Sequence, residues 1–164
     1  MPLYFLDLKA LGIDGESKKQ GHEKQLEMDT WSFSITQTGS AARGEAAATG
    51  RVNMNDFSFG KLLDKSSPML MRAGMKGEYI DNIIFFAQKT GTIGGQYVDY
   101  LRVTFRDCII SRYQNFPGQA DAPPAEDIAF SFKSVKMDYK FIDEKGKPGA
   151  LFSGGFDSKE NRKI

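Results

Sequence analysis

Apolar and polar residues alternate along most of the chain, with the period of two that is typical of β-strands. The alternation predicts strands at residues 2–8, 25–38, 51–59, 78–91, 96–114, 127–143 and 150–157. The phase of the alternation slips near Asn55 and shifts between Phe132 and Val135, and a further irregularity is expected near Asp107. A shift of this kind predicts a bulge or a bend.

The strand predicted at residues 25–38 has two different sides. Trp31, Phe33 and Ile35 point to one side, which we expect to be buried in the core. The opposite side carries only small hydroxyl groups, from Thr30, Ser32, Ser34 and Thr36.

One short helix is predicted after residue 66. Ser67 is expected to cap it, and Pro68 to occupy its first position, where the missing N–H costs nothing. Gly74 and Gly77 are expected to end it. A short apolar stripe that we expect to pack on the core consists of Leu70, Met71 and Met75. Because so short a helix is unstable alone in water, it should pack on the sheet or close a barrel end.

Polar, glycine-rich segments at residues 12–24, 39–50 and 115–127 predict loops between the strands. No repeat and no linker divides the chain, so residues 1–164 are expected to form a single domain. Many strands, one short helix and no regular alternation of helices with strands indicate a mainly β fold. A closed or nearly closed β-barrel is favoured over an α/β fold.

The charge balance argues against a nucleic-acid-binding protein. The chain has 22 basic and 21 acidic residues, whereas a nucleic-acid protein normally needs a net basic face. Near-neutral charge also does little to keep copies of the chain apart, which leaves self-association open.

The sequence contains no recognisable catalytic motif. It lacks the glycine-rich phosphate loops and the nucleophile elbow, and one histidine with one cysteine cannot supply an ordinary transition-metal site. Cys108 lies in a strand pattern and is expected to be a small buried hydrophobe. His22 is expected to be structural, making a loop hydrogen bond or a subunit contact. We therefore expect no catalytic residues, no metal and no cofactor.

The first residues do not have the pattern of a signal peptide, because Asp7 interrupts their apolar run and no basic leader precedes it. The longest uninterrupted apolar run, residues 83–87, is far shorter than the ~20 residues that span a bilayer. We expect a chain that is made as a soluble cytoplasmic protein and does not insert into membranes.

The segment DFSFGKLLDKSSPMLMRAG, residues 56–74, resembles a signature of the Hcp (hemolysin-coregulated protein) family, the tube subunits of type VI secretion systems. The signature combines an aromatic strand, a lysine, an Asp-Lys-Ser-Ser-Pro step and a short helix. Its residues here are Asp56, Phe57, Ser58, Phe59, Lys61, Asp64, Lys65, Ser66, Ser67 and Pro68, followed by Leu70 and Met71.

Further matches to the family follow in the same order over essentially the whole chain. They are Gly15, Glu16, Ser17, Gly21, His22, Trp31, Ser32, Lys89, Gly91, Tyr100, Leu101, Asp107, Ser111, Tyr113, a Glu-x-(x)-Phe-x-Phe strand that ends in Tyr139, and Gly155, Phe156 and Asp157. The segments LLDK and FAQKTGTIGGQ depart from the commonest sequence of the family. This difference is expected to affect individual contacts and not the fold.

The resemblance implies a phage tail-tube-like β-barrel that forms a homo-hexameric ring with a wide channel. Rings stack head to tail into a tube, with a spike protein at its tip and a contractile sheath around it. The implied cargo is small effector proteins, which the ring carries and chaperones. The resemblance also implies secretion, to the extracellular space or into a target cell, by the type VI route. The chain stops after SKENRKI, so we expect a plain tube subunit without a C-terminal toxin domain, not an enzyme.

Two segments acquire expected roles from this resemblance. The hydroxyl side suits a wet channel wall, and the residues expected to face the lumen and contact effectors are Ser32, Ser34 and Thr36. A loop of small residues is expected to reach the next ring and to mediate stacking, and it comprises Gly39, Ser40, Ala41, Ala42, Arg43, Gly44, Glu45, Ala46, Ala47 and Ala48.

Two other classes of function are weighed against a tube subunit. One is a monomeric β-barrel that binds a small molecule or a glycan, favoured by the aromatic content and the hydroxyl side. The other is a hydrolase with an unrecognised carboxylate pair. Ring formation separates the tube subunit from both.

Overall fold

The computed structural model describes residues 3–37, 52–90, 97–158 and 162–164. The predicted stacking loop at residues 39–48 therefore lies outside the described residues. The strands are β1 Tyr4–Asp7, β2 Leu26–Met28, β3 Thr30–Ser32, β4 Ile35–Gln37, β5 Val52–Met54, β6 Phe57–Leu62, β7 Ile80–Thr90, β8 Tyr97–Phe116, β9 Ala125–Ser131, β10 Ser134–Ile142, β11 Pro148–Asp157 and β12 Arg162–Lys163. The helix α1 spans Ser67–Lys76, and a short 3₁₀ turn spans Lys9–Leu11.

Antiparallel pairing joins these strands, and the long strand β8 is their common element. Its first half pairs with β7 and β10, and its second half pairs with β9. The main path runs β12-β11-β10-β8-β7-β1-β2, the branch β3-β6-β9 joins it at β8, and β4 and β5 form a separate two-stranded sheet. The mainly β fold with one short helix is confirmed. The path has free ends at β12 and β2 in the described part of the chain, so closure into a barrel stays a prediction.

Aromatic residues fill the core between the two halves of this arrangement. Phe57 lies 5.0 Å from Phe130 and 5.1 Å from Phe105, measured between ring centroids, and all three are buried. Trp31 packs against the core from β3, 4.7 Å from the ring of Phe85. Burying large rings against one another supplies most of the stabilisation of such a core.

The predicted strand at 25–38 is divided into β2, β3 and β4, and this division corrects one expectation. Trp31 and Phe33 do pack on the core, but Ile35 is 61% exposed. Ile35 belongs to β4, which pairs only with β5, outside the main sheet. The alternation continues there without a core behind it.

The predicted phase shifts mark real breaks in the strands. Asn55 lies between β5 and β6, which belong to different sheets, and residues 132–133 separate β9 from β10. Asp107 has a φ of 55° in the middle of β8, at the predicted irregularity. A positive φ is unusual for a non-glycine residue within a strand.

Helix α1 begins differently from the prediction. Ser66, not Ser67, is the N-cap residue, and the hydroxyl of Ser67 is directed instead to the carboxylate of Glu126. Pro68 does lie in the first turn. Leu70 is buried, but Met71 and Met75 are exposed, Met75 to 77%. The prediction that Met71 and Met75 pack on the core is therefore wrong. Only the side of the helix that carries Leu70 and Ala73 packs inward.

The two glycines of the helix also differ in role. Gly77 adopts a left-handed conformation with a φ of 61° and its N–H bonds to the carbonyl groups of Ala73 and Gly74, so it ends the helix as predicted. Gly74 does not end the helix but lies within it.

We expect Gly77→Ala to lower the free energy of unfolding by ~1–2 kcal/mol, the cost of a left-handed conformation for a residue with a Cβ. The added Cβ would have no atom within 4 Å, so this cost is purely conformational. Gly74→Ala is the matched control, because its Cβ would meet Ile110 at an ordinary 3.4 Å and alanine favours the helix by up to ~1 kcal/mol. Urea unfolding of both variants measures the contrast, and equal effects would contradict it.

Candidate functional site

The signature segment places a charged residue on the inner side of a strand. In β6, Phe57 and Phe59 are buried in the core, and Lys61 is the next residue on the same side. Lys61 is 2% exposed. A buried ammonium group is tolerated only when charged and polar partners surround it.

Four partners surround the Nζ atom of Lys61. It donates to Asp64 Oδ1 at 2.8 Å, Glu126 Oε1 at 2.9 Å, the carbonyl of Leu62 at 3.2 Å and Ser67 Oγ at 3.4 Å. Glu126, on β9, is as deeply buried as Lys61. The ion pair therefore joins β6 to β9 and to the beginning of α1.

Asp64 organises the turn between β6 and the helix. Its Oδ1 accepts hydrogen bonds from the backbone N–H and the hydroxyl of Ser66, and its own N–H donates to Ser67 Oγ at 3.0 Å. Burial by itself would raise the pKa of Asp64, but the hydrogen bonds from Lys61 and Ser66 and the charge of Lys61 outweigh it and lower the pKa overall. Asp64 is thus held as a carboxylate.

We call these residues the Lys61 cluster: Lys61, Asp64, Ser66, Ser67 and Glu126. Lys61, Ser66, Ser67 and Glu126 are buried and Asp64 is half-buried, so the geometry of the cluster indicates a structural role. The remaining signature residues lie around it: Lys65 and Pro68 are exposed, and Asp56 accepts a hydrogen bond from Ser111. Sequence reasoning did not connect Glu126 to Lys61, because no periodicity relates it to a lysine 65 residues earlier.

The hydroxyl side of β3 is exposed. Ser32 lies opposite Ser58 of β6, and Ser58 lies opposite Ala129 of β9, so small residues follow one another across three strands, although Ala129 is buried. Ser34 accepts a hydrogen bond from Asn55, while Thr36 lies on β4 in the separate sheet. The three residues predicted to face a lumen are all exposed, but only Ser32 lies on β3.

An exposed apolar row extends the inner side of the sheet beyond the core. Tyr139 of β10 lies opposite Phe152 of β11 on one side and opposite Leu101 of β8 on the other. Leu101 packs against the core, so the row lies on the core side of the sheet. We call this the hairpin row, and its members are Met137, Tyr139, Phe141 and Phe152. Phe152 is 60% exposed. Sequence reasoning missed the row, because its alternation is the same as that of a buried strand.

The outer edge of β11 is largely unpaired in the described part of the chain. Strand β12 pairs only with Phe156 and Asp157, next to a backbone hydrogen bond from Ile164 to Gly155. The N–H and C=O groups along the start of β11 therefore face outward. An unpaired edge beside an exposed apolar row is a surface that another strand can cover.

The cysteine and the possible metal ligands of the described ranges can be located in the fold. Cys108 is buried as expected, and burial raises the pKa of its thiol to about 12. Among the described residues no three histidine, cysteine or carboxylate side chains come together as metal ligands. The one α-helix of the described ranges is too short and too polar to cross a membrane.

Comparison with known proteins gives a consistent result. The family model for the type VI secretion system effector Hcp matches residues 5–139. Protein hcp1 of Pseudomonas aeruginosa is 29% identical over 155 residues, which cover 94% of each chain. The crystal structure of Hcp1 from Salmonella typhimurium is 27% identical with a TM-score of 0.78, covering 98% of this chain and 97% of that one.

A further solved structure, of a type six secretion system protein, superposes over the full length of both chains with a TM-score of 0.88 at 23% identity, which supports the fold. The family model covers well over half of the sequence, including the Lys61 signature and most of the strands around it. The chain therefore belongs to the Hcp family of type VI secretion proteins.

Proposed function

We propose that the chain is the structural subunit of a type VI secretion tube, in which six copies form a ring and rings stack head to tail. The observation that carries the proposal is the hairpin row beside the unpaired edge of β11, within a chain of this family. A monomeric subunit would expose four large apolar side chains on the hairpin of β10 and β11, whereas in a ring the neighbouring subunit would cover them.

Barrel closure is part of the proposal. Strands β2 and β3 are separated only by Asp29, whose N–H donates to the carbonyl of Gly60 in β6 at 2.9 Å. A continuous strand through Asp29 would join the end of the main path to the β3-β6-β9 branch. The exposed hydroxyl side of β3 would then form part of the channel wall, with Ser32 toward the lumen and its effectors. Ser34 and Thr36, which follow β3 in the chain, are proposed to line the lumen beside it.

The tube also defines the proposed partners. The spike protein would lie at the tip and the contractile sheath around the outside, and effectors would be carried in the channel. The Lys61 cluster supports a structural role over an enzymatic one, because Lys61 and Glu126 are buried and their ion pair joins β6 to β9.

The solution mass of the purified chain tests ring formation. Light scattering should give about six times 18.3 kDa, and negative-stain images of the same fraction should show rings. A monomer over a wide range of concentration would contradict the proposal and would favour a ligand-binding β-barrel.

Deletion of residues 41–48 should spare the ring and abolish stacking, because these small residues are proposed to contact the next ring and not the fold. The measurement is tube formation at high concentration, with the solution mass as the check on the ring. A variant with residues 41–48 replaced by eight glycine and serine residues separates loop length from loop sequence. Tubes that still form after the deletion would show that the loop is not the stacking element.

A further inference from the structure

His22, the single histidine of the chain, holds the loop at residues 12–25 against the sheet. Its ring lies flat on Phe5 of β1, with centroids 4.5 Å apart and planes 6° from parallel, and edge-on to Phe86 of β7 at 4.9 Å. It is only 2% exposed. The imidazole therefore packs as an aromatic residue on the outer side of β1 and β7.

Both ring nitrogens of His22 face hydrogen-bond acceptors. Nε2 lies 2.8 Å from Asp99 Oδ1 of β8, and Nδ1 lies 2.8 Å from Gln25 Oε1. An ionised carboxylate and an amide oxygen can only accept, so both hydrogen bonds form together only when each nitrogen carries a proton. The imidazolium form satisfies both acceptors in this arrangement, whereas neutral imidazole satisfies only one of them unless the side-chain amide of Gln25 turns over.

The groups around the imidazole come from every neighbouring element. The sheet contributes Phe5 of β1, Phe86 and Gln88 of β7, and Asp99 of β8, and Lys140 of β10 lies close to Asp99. The loop contributes Lys19, Glu23 and Gln25. Asp99 also accepts from Gln88 Nε2 at 2.7 Å. Two carboxylates thus surround the ring, and the nearest, Asp99, is fixed by two donors.

These neighbours set the direction of both titrations. Burial alone would lower the pKa of His22, but the hydrogen bonds to Asp99 and Gln25 and the charges of Asp99 and Glu23 outweigh it and raise the pKa above 6.5. Burial alone would raise the pKa of Asp99, but the hydrogen bonds from His22 and Gln88 and the charges of His22 and Lys140 lower it.

We propose that His22 acts as a pH-sensitive switch that, in its imidazolium form, fastens the loop at residues 12–25 to β8 and, in its neutral form, releases it. The switch lies within one subunit and does not depend on the proposed tube. The stabilisation is fully present below the ordinary histidine pKa of 6.5, and it is lost as the pH rises through the raised pKa of the folded chain. Release would uncover the outer side of Phe5 and Phe86.

The first measurement is the titration of His22 by NMR with isotope-labelled histidine, which gives one assigned signal because the chain has one histidine. Hydrogen exchange at Gly15, Ser17 and Lys24, whose N–H groups bond within the loop, reports release across the same pH range. The protection factors of these amides should fall through the measured pKa, about tenfold for each unit by which it exceeds 6.5. Amides of β7 should keep their protection.

Asp99→Asn tests the charge on which the switch depends, because the amide keeps the shape and one acceptor oxygen. The pKa of His22 and the pH at which the loop loses protection should both move down together. Asp14→Asn, an exposed carboxylate of the same loop, is the control and should move neither. A His22 pKa at or below 6.5, or loop protection that does not change through the titration, would overturn the proposal.

Discussion

Lys61→Met is expected to lower the free energy of unfolding by ~3–5 kcal/mol, the range for removing one partner of a buried ion pair. The methionine fills the space of the lysine stem but leaves Glu126 buried without its cation. The second oxygen of Glu126 has no hydrogen-bond partner among the described residues, so little compensation is available to the carboxylate. Because domains are stable by only ~5–15 kcal/mol, part of the population is expected to unfold. Urea unfolding at pH 7 measures the loss.

Two variants make this prediction specific. Lys65→Met removes an exposed lysine from the same segment and should change stability by less than ~0.5 kcal/mol. The double variant Lys61→Met with Glu126→Met also removes the Glu126 carboxylate and should be more stable than Lys61→Met alone, since Glu126, the more deeply buried of the two carboxylates, is no longer left without its cation. A single variant as stable as the wild type would show that the cluster does not hold β6 to β9.

Phe152→Asp is expected to convert the ring to monomers while leaving the subunit folded. Phe152 is 60% exposed in the single chain, so its replacement removes little from the core and should cost less than ~0.5 kcal/mol of stability. In the proposed ring, the same side chain would be covered, and an aspartate there would be a buried charge without a partner. Light scattering of the variant should give about 18.3 kDa.

Leu151→Asp is the matched control for this variant. Leu151 is also 60% exposed, and its replacement by aspartate introduces the same negative charge. Leu151 is the residue before Phe152 on β11, so its side chain points to the opposite side of the strand, where it lies across from Lys140. The ring should therefore survive Leu151→Asp. Rings that survive Phe152→Asp as well would exclude the hairpin row from the ring contact, and rings lost in both would point to the strand edge.

The sequence was sufficient to predict where strands occur and where they break. Alternation of apolar residues placed β6 to β11 close to their observed positions, and the phase shift after Phe132 marked the boundary between β9 and β10. Pro68 after two serines was enough to predict the one helix. These features are local, because strand period, proline and glycine act over a few neighbouring residues.

The sequence could not predict the Lys61 cluster as a site. The resemblance identified Lys61, Asp64 and Ser67 as signature residues, but Glu126, the partner of Lys61 and Ser67, lies 59 to 65 residues later in the chain. Local reasoning assigned Ser67 to the cap, whereas Glu126 takes its hydroxyl and Ser66 becomes the N-cap residue. A contact between β6 and β9 exists only after the sheet has formed.

By itself, then, the sequence determined the mainly β character of the chain, the helix after residue 66, the packing of Trp31 and Phe33 on the core, and the family. Only the tertiary structure decided which alternating residues are covered. Ile35, Met75 and Phe152 follow the same periodicity as buried residues, yet each is exposed in the described part of the fold. The physical reason is that periodicity fixes the side to which a residue points, whereas burial depends on what the fold places opposite that side.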